Sequence, residues 1–373
     1  MQNISGRRQL TRNRIFRSLY EAKDGLTQQQ LSNELDLSLP TIRQNLTNLS
    51  ELGLIHQAGQ LESTGGRRAH VLEVDPAART SVGISLTEHC FQFVALDLLC
   101  NTIATRKREH GPISDVSALG EDMARALERF LDDEGIARES LLGVGIAVPG
   151  IVDEGSGRIL TAPTLHVHDV DISTLTQRIG YRVHVANDAN CAGYTEWLAH
   201  PDLDSLTYLM LSNGVGGAIF MDGKPFKGDD GRSGEFGHLC VEPGGRECSC
   251  GRHGCLEAYC SSSCLSDDQG MSLDGFFARL DAGDAHAKQA WDDYADHLAI
   301  GLNDIHMVLD SDIIIGGSMC QYLGERLDEI RDRTARLDSF AGDGSYVRIA
   351  KVVHRAAPFG AAYHYVHRFV ETL

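Results

Sequence analysis

The chain has 373 residues, 42% of them hydrophobic, which is too long for one small core and too apolar for a disordered chain. Its net charge of −18 excludes a fold coated in basic side chains, so any nucleic-acid contact must be a local patch. The N-terminus has no basic-then-apolar leader, and the longest uncharged run, Ser205–Met221, is broken by Ser, Thr, Asn and Gly. A soluble protein of the cytoplasm is therefore expected. Its ten cysteines are expected as thiols or metal ligands, not as a disulfide framework.

The patch falls at the start of the chain. Residues 1–70 hold nine basic and six acidic side chains, a net +3 that leaves −21 for the remainder. Leu10, Arg14, Ile15, Leu19 and Tyr20 recur at helical spacing. Thr27 is placed to cap a second helix with Leu31 and Leu35 inward, Asp36 and Leu37 make a turn, and Ser38 caps a third helix. There Ile42, Leu46 and Leu49 form the buried stripe, so Thr41, Arg43, Gln44 and Asn45 are left to face base edges in a major groove. After Gly53, Leu54-Ile55 and Val71-Leu72 read as a hairpin whose connection, Ser63-Thr64-Gly65-Gly66-Arg67-Arg68, has the character of a DNA-binding wing. Its glycines admit close phosphate approach, and Arg67 and Arg68 suit a narrow minor groove. A winged helix-turn-helix over residues 1–72 is expected.

From Thr80 the pattern changes to strands alternating with helices. Ser81–Leu86, Phe91–Asp97 and Asn101–Arg106 read as strands, followed by a helix near Val116–Leu131 and a strand at Leu142–Val148. A second series opens with strands near Arg182–Val185, Leu206–Leu211 and Gly216–Met221 and includes another at Asp312–Ile315. Two α/β lobes around a cleft are predicted over 73–373: one of about 80–185 plus 358–373, the other about 186–357. The C-terminal helix, Pro358–Phe369, is expected to return to the first lobe.

His238, Cys248, Cys250 and Cys255 are the sharpest chemical signal. Three thiolates and an imidazole in a loop rich in glycine (Gly244, Gly245, Gly251, Gly254) make a closed tetrahedral set suited to structural Zn2+. Cys240, Cys260 and Cys264 show no comparable spacing, and Cys90, Cys100, Cys191 and Cys320 read as core residues.

The stretches Val144–Gly150, Asn187-Asp188-Ala189-Asn190, Gly234–His238, Cys248–Gly251, Gly254–Ala258 and Ile315–Ser318 together resemble the ROK family of repressors, open reading frames and kinases. The resemblance runs from about Thr80 to the C-terminus, and with the helix-turn-helix and wing it looks like the family's regulator branch, which answers to N-acetylglucosamine, glucose or xylose. It implies an actin-like, ribonuclease H-like two-lobed sensor of sugar-kinase type. It also implies that Asn187 and Asp188 bind sugar hydroxyls, Asp188 matching the general base of the kinases, and that Glu235 and Glu257 accept hydrogen bonds from the sugar ring. His238 would hold zinc through one nitrogen and face the sugar with the other. Several charge-assisted acceptors in a partly desolvated site are what a polyol requires.

The chain also departs from the kinases. Where they carry an Asp-x-Gly-Gly-Thr phosphate loop, it reads Gly83-Ile84-Ser85-Leu86-Thr87-Glu88-His89, and the second phosphate loop, usually Gly-Thr-Gly, is Ser212-Asn213-Gly214. Phosphoryl transfer rests on positioning and neutralising nucleotide phosphates. No catalysis is therefore expected. A third departure is Pro163-Thr164-Leu165-His166-Val167-His168, where the family commonly has Pro-Asn-Leu and a following Trp. The expected partners are operator DNA, a sugar or sugar phosphate effector and a second copy of the chain, since one helix-turn-helix reads too few base pairs. Two rivals stand beside this reading: an ATP-dependent sugar kinase with an added DNA-binding domain, and a regulator controlled by a protein partner.

Overall fold

A computed structural model describes residues 2–22, 24–60, 70–113, 115–229, 231–340 and 342–373. The chain divides into two compact units, one of Met1–Ala147, Asp171–Val185 and Ala361–Leu373, the other of Val148–Val170 and Ala186–Gly360.

The first unit opens with helices Gln2–Glu21, Gln28–Leu35 and Leu39–Glu51. Thr27 closes a capping box with Gln30, and the Ser38 hydroxyl accepts from the Thr41 N–H, so orphan amides at both helix starts are satisfied by the expected residues. Asp36 turns the chain in the left-handed region at φ 51°. Strands Ile55–Gln60 and His70–Val74 pair antiparallel with Ile55 opposite Val74, and the short strand Leu26–Thr27 adds to the outer side of the latter. The wing residues Ser63–Arg68, with Arg67 and Arg68, lie outside the described residues.

One expectation fails in the first helix. Ile15, Phe16 and Leu19 are fully buried, but Leu10 is 67% exposed. At about 100° per residue, nine positions place Leu10 on the opposite side of the helix from Leu19. The core of this head is also larger than its own sequence: Ile15, Phe16, Leu31, Ile42, Leu46 and Leu49 share one cluster with Leu98 and with Val366 and Val370 of the C-terminal helix Ala356–Thr372. Phe16 meets Phe369 edge-on, with centroids 6.2 Å apart. Arg12 donates to both Asn48 Oδ1 (3.0 Å) and the Leu373 carbonyl (2.8 Å), and Arg17 pairs with Glu371. Cys100, read as a core residue, is half-buried and hydrogen-bonded to the Tyr20 hydroxyl at 3.5 Å.

The unit's five-stranded sheet runs, in spatial order, Val183–Asn187, Leu141–Val148, Thr80–Leu86, Cys90–Asp97 and Thr102–Glu109. The strand read near Arg182–Val185, within the bounds given for the first lobe, is the edge of this sheet: its hydrogen-bonding partner is Leu141–Val148. Gly145 lets the C-terminal helix lie on the sheet, because a Cβ there would stand 2.0 Å from the Ala361 carbonyl oxygen. Helix Val116–Asp133 is capped by Asp115.

The second unit's sheet follows the same plan: Lys224–Phe226, Val215–Met221, Leu206–Leu211, Asp312–Gly316 and Val347–Ile349. Its first three strands are antiparallel neighbours, and Leu206–Leu211 is parallel to Asp312–Gly316. The long helix Ala285–Leu309 buries Trp291, Tyr294, Leu298 and Leu302 in the same core as Leu209, Ile313 and Ile315. A small sheet of Ile151–Asp153, Arg158–Ala162 and Val167–Asp171 was not legible in the sequence. Among the described residues, no helix is long and apolar enough to cross a membrane.

Candidate functional site

Strand Val183–Asn187 hands over directly to helix Asp188–Ala199, and Asn187 is the N-cap: its Oδ1 accepts from the Asn190 N–H at 2.9 Å. Its amide nitrogen donates to the Gly150 carbonyl at 2.9 Å. An amide side chain has two N–H groups and two lone pairs, so one of each stays available for a ligand. Asp188, the first helical residue, accepts from the Ala189 N–H at 2.9 Å. Burial, with a smaller contribution from the charge of Glu235, pushes its carboxyl up to about 7.

Glu235 precedes the single turn Phe236–His238 and is half-buried. Burial raises its pKa, the neighbouring His238 opposes the rise, and Glu257 adds to it. Glu235 thus lies within electrostatic reach of Asp188, His238 and Glu257, although 69 positions of sequence separate Asp188 from Glu257. Glu257 is the most tied of the set. Its Oε2 accepts from the Val215 N–H at 3.0 Å, and its Oε1 accepts from the Ser249 hydroxyl at 2.8 Å. Sequence reasoning missed Ser249, Val215 and the Gly150 carbonyl as supports, and only the position of Ser249 between two site cysteines could have hinted at it.

Beside the carboxylates lie His238, Cys248, Cys250 and Cys255, whose potential ligand atoms are all within 4.8 Å of one another. His238 Nδ1 is 3.8 Å from Cys248 Sγ, and Cys250 Sγ is 3.8 Å from Cys255 Sγ. Metal–sulfur bonds of about 2.3 Å at tetrahedral angles give edges of roughly 3.8 Å, so this donor set fits a closed tetrahedral ion. With Nδ1 turned to the thiols, Nε2 is the nitrogen left for a second partner.

The loop carries the ligands on a tight two-strand frame. Cys248 N–H donates to the Arg252 carbonyl, Gly251 N–H to the Cys248 carbonyl, and Gly254 N–H to the Arg246 carbonyl, each at 2.8 Å. Gly254 sits at φ +83° with its α-carbon so near Glu242 that a Cβ would meet that carbonyl oxygen at 1.9 Å. Burial raises the Cys248 thiol and pushes Cys255 up to about 12, while the Arg252 N–H lowers Cys250. A bound divalent cation is what would ionise the two buried thiols.

The two stretches read as altered phosphate loops are held by internal hydrogen bonds. Between strands Thr80–Leu86 and Cys90–Asp97 the turn is closed by the Thr87 hydroxyl, which accepts from Cys90 N–H at 3.0 Å, and Glu88 pairs with His89 at 3.6 Å. In the second loop Asn213 Oδ1 accepts from the Ser262 hydroxyl at 3.0 Å, and Ser212 Oγ accepts from the Ser318 N–H at 3.0 Å.

On the helix Leu39–Glu51, Arg43 and Gln44 are exposed. Thr41 and Asn45 are half-buried, and both are engaged within the helix: the Thr41 hydroxyl meets Ser38 Oγ at 2.8 Å, and the Asn45 amide donates to the Thr41 carbonyl at 2.9 Å.

Residues 8–56 match the winged helix-turn-helix DNA-binding family. The xylose repressor of Bacillus subtilis (strain 168) is 26% identical over 288 residues, covering 75% of this chain and 74% of that protein. The DNA-binding transcriptional dual regulator NagC of Escherichia coli (strain K12) is 27% identical over 268 residues, 70% of this chain and 65% of that one. A solved ROK family transcriptional regulator, described as a homologue of the E. coli Mlc protein, superposes with a TM-score of 0.79 at 22% identity, over 98% of this chain and 97% of that one, and shares its fold. Residues 81–367 match the ROK family, and the chain belongs to it.

Proposed function

We propose that this protein is a sugar-responsive, DNA-binding transcriptional repressor of carbohydrate uptake or catabolism genes, released from its operator by a sugar or sugar phosphate. Residues 1–72 act as the DNA-binding domain and 73–373 as the sensor. The observation that carries the reading is the convergence, on a chain with a helix-turn-helix, of Asn187, Asp188, Glu235, His238 and Glu257 beside a metal-type cysteine cluster. The repressor names of the xylose and N-acetylglucosamine relatives support the same class.

Asn187 and Asp188 offer hydroxyl-binding groups at a helix N-terminus, and Glu235 and Glu257 add acceptors across the site. The cluster takes one structural zinc through His238 Nδ1, Cys248, Cys250 and Cys255. When bound, the ion supplies a rigid cross-link of the loop that carries Glu235 and Glu257 and fixes the tautomer of His238, leaving Nε2 to face the sugar. Asp188, although it matches a kinase base, does not serve catalysis: Glu88 stands where phosphate charge is held in kinases, and Ser212 and Asn213 are tied to Ser318 and Ser262. Thr41, Arg43, Gln44 and Asn45 face base edges in the major groove, and Arg67 and Arg68 contact the minor groove and phosphates. A homodimer presents two heads to a palindromic operator.

The test begins with a thermal-shift screen of sugars, aminosugars and their phosphates, since a ligand of the native state alone raises the unfolding temperature. Operator is then titrated with and without the ligand found. Weaker operator binding with sugar in wild type, lost in Glu235→Gln, is the expected result. Linkage makes the effect reciprocal: a tenfold loss in one direction is about 1.4 kcal/mol in both. Equal operator affinities, with sugar binding measured independently by calorimetry, overturn the reading. Sugar phosphate formed from ATP and magnesium, and abolished in Asp188→Asn, restores the kinase.

A further inference from the structure

A fifth thiol stands beside the metal cluster. Cys240 is exposed and is not one of the four grouped ligands, and its sequence spacing shows no relation to them. The fold supplies one: Cys240 and Cys255 face each other in an isolated antiparallel bridge. The two hydrogen bonds that frame the bridge run from Val241 N–H to the Gly254 carbonyl and from Leu256 N–H to the Leu239 carbonyl, both at 2.8 Å. Bonds made by the flanking residues mark a non-hydrogen-bonded pair, in which opposed Cα atoms stand about 4.5 Å apart and the side chains leave on the same face. That separation is inside the range of a disulfide, about 4.4–6.8 Å. Cys240 Sγ in fact lies over residue 254, at 3.4 Å from where a Cβ on Gly254 would stand.

We propose that Cys240 and Cys255 form a peroxide-sensitive thiol pair, in which oxidation of exposed Cys240 captures Cys255 as a disulfide and removes it from the metal set. The inference rests on the reading of the cluster as a zinc site. Cys240 is the thiol the ion does not hold, and it is open to solvent, so it reacts first. Its sulfur attacks one peroxide oxygen; the O–O bond breaks, the leaving hydroxide takes the thiol proton to become water, and a sulfenic acid forms. The Cys255 thiolate then attacks the Cys240 sulfur, the S–O bond breaks, and the sulfenic oxygen leaves as hydroxide. In sum, one thiol, one thiolate and hydrogen peroxide give one disulfide, one water and one hydroxide, each sulfur losing one electron and the peroxide gaining two. Two thiolates and an imidazole remain for the ion, too few for a closed site. Such a disulfide, transient and reversible, is the kind that reducing compartments use for sensing.

The experiment treats zinc-loaded full-length protein with hydrogen peroxide. It follows released zinc with a chromophoric chelator and maps disulfides by non-reducing peptide mass spectrometry. The expected result is a Cys240–Cys255 linkage appearing together with zinc release, both reversed by dithiothreitol and added zinc. Cys240→Ser, which leaves all four ligands, is expected to keep its zinc and to slow release by about tenfold or more. Release at the wild-type rate in Cys240→Ser, or a linkage only among Cys248, Cys250 and Cys255, overturns the proposal. If wild type carries no zinc the metal reading fails by itself, and the Cys240–Cys255 linkage is still scored on the mass spectrum.

Discussion

The cysteine loop and the DNA-reading head are both small, yet they are held in opposite ways. The loop between Gly234 and Glu257 folds upon itself: its frame is made by backbone bonds such as Gly254 to Arg246 and Leu256 to Leu239, and its four candidate ligands come from 18 consecutive positions. The head takes part of its core from the far end of the chain. Val366 and Val370 pack with Ile15, Phe16 and Leu46, and the Arg12 bond to Leu373 spans 361 positions. A local site is stabilised by what it binds, whereas a head built on the C-terminal helix is stabilised by what the whole chain does. The helix-turn-helix is therefore no bead on a string. Since the same helix lies on the first sheet at Gly145, the head and that sheet share one support.

Removing a ligand is the most severe way to break this comparison. Cys250→Ser should lower zinc from about one per chain to near none and cause a large drop in the unfolding temperature, because a structural zinc contributes on the order of 10 kcal/mol in small domains. Metal analysis after dialysis, alongside calorimetry, checks it. Wild type that holds no zinc would sink the closed-site reading.

Phe16→Ala comes next. Phe16 is fully buried and contacts Phe369, so its loss should cost about 3–5 kcal/mol and weaken operator binding, with zinc content unchanged. Val366→Ala, at the other end of the chain, should do the same on a smaller scale, about 1–3 kcal/mol. If Val366→Ala leaves operator affinity and head stability at wild-type values, the shared core does not support the head.

The DNA contacts should be smaller still and separable. Gln44→Ala should alter sequence preference by about 1–3 kcal/mol at one base pair. The double change of Arg67 and Arg68 to Ala should weaken all duplexes and flatten the salt dependence. Operator titrations at several salt concentrations decide between the two behaviours.

The mildest expectation concerns pH. A carboxyl raised from 3.8 to about 7 in the folded state holds a proton that the unfolded chain has released, so Asp188 should make stability fall as pH rises between these values and leave it level above them. Asp188→Asn should remove that slope. Thermal midpoints from pH 4 to pH 8, without sugar, measure it; identical slopes in both proteins would show that Asp188 is not held protonated.

Much of this protein was legible in its sequence, for a physical reason: the readable features depend on neighbours within a few residues. Thr27 and Ser38 cap because a side-chain oxygen reaches an amide two or three positions on, and the Ile42–Leu46–Leu49 stripe follows from helical pitch. The cysteine spacing announced a metal-type loop in the same way. Other features depended on contacts between distant segments, and these only the tertiary structure decided. Leu10 carries an apolar side chain but points away from the core its neighbours build, and the strand Val183–Asn187 joins the first sheet by pairing with a strand some forty residues earlier. The Asn187 amide is held by the Gly150 carbonyl, and Glu257 is committed to Val215 and Ser249. Cys240 is set opposite Cys255 by backbone bonds that no spacing rule describes. Residue type and short-range periodicity determine which chemistry a segment can offer; the pairing of remote backbone and the packing of remote side chains determine which part of it is left free to act.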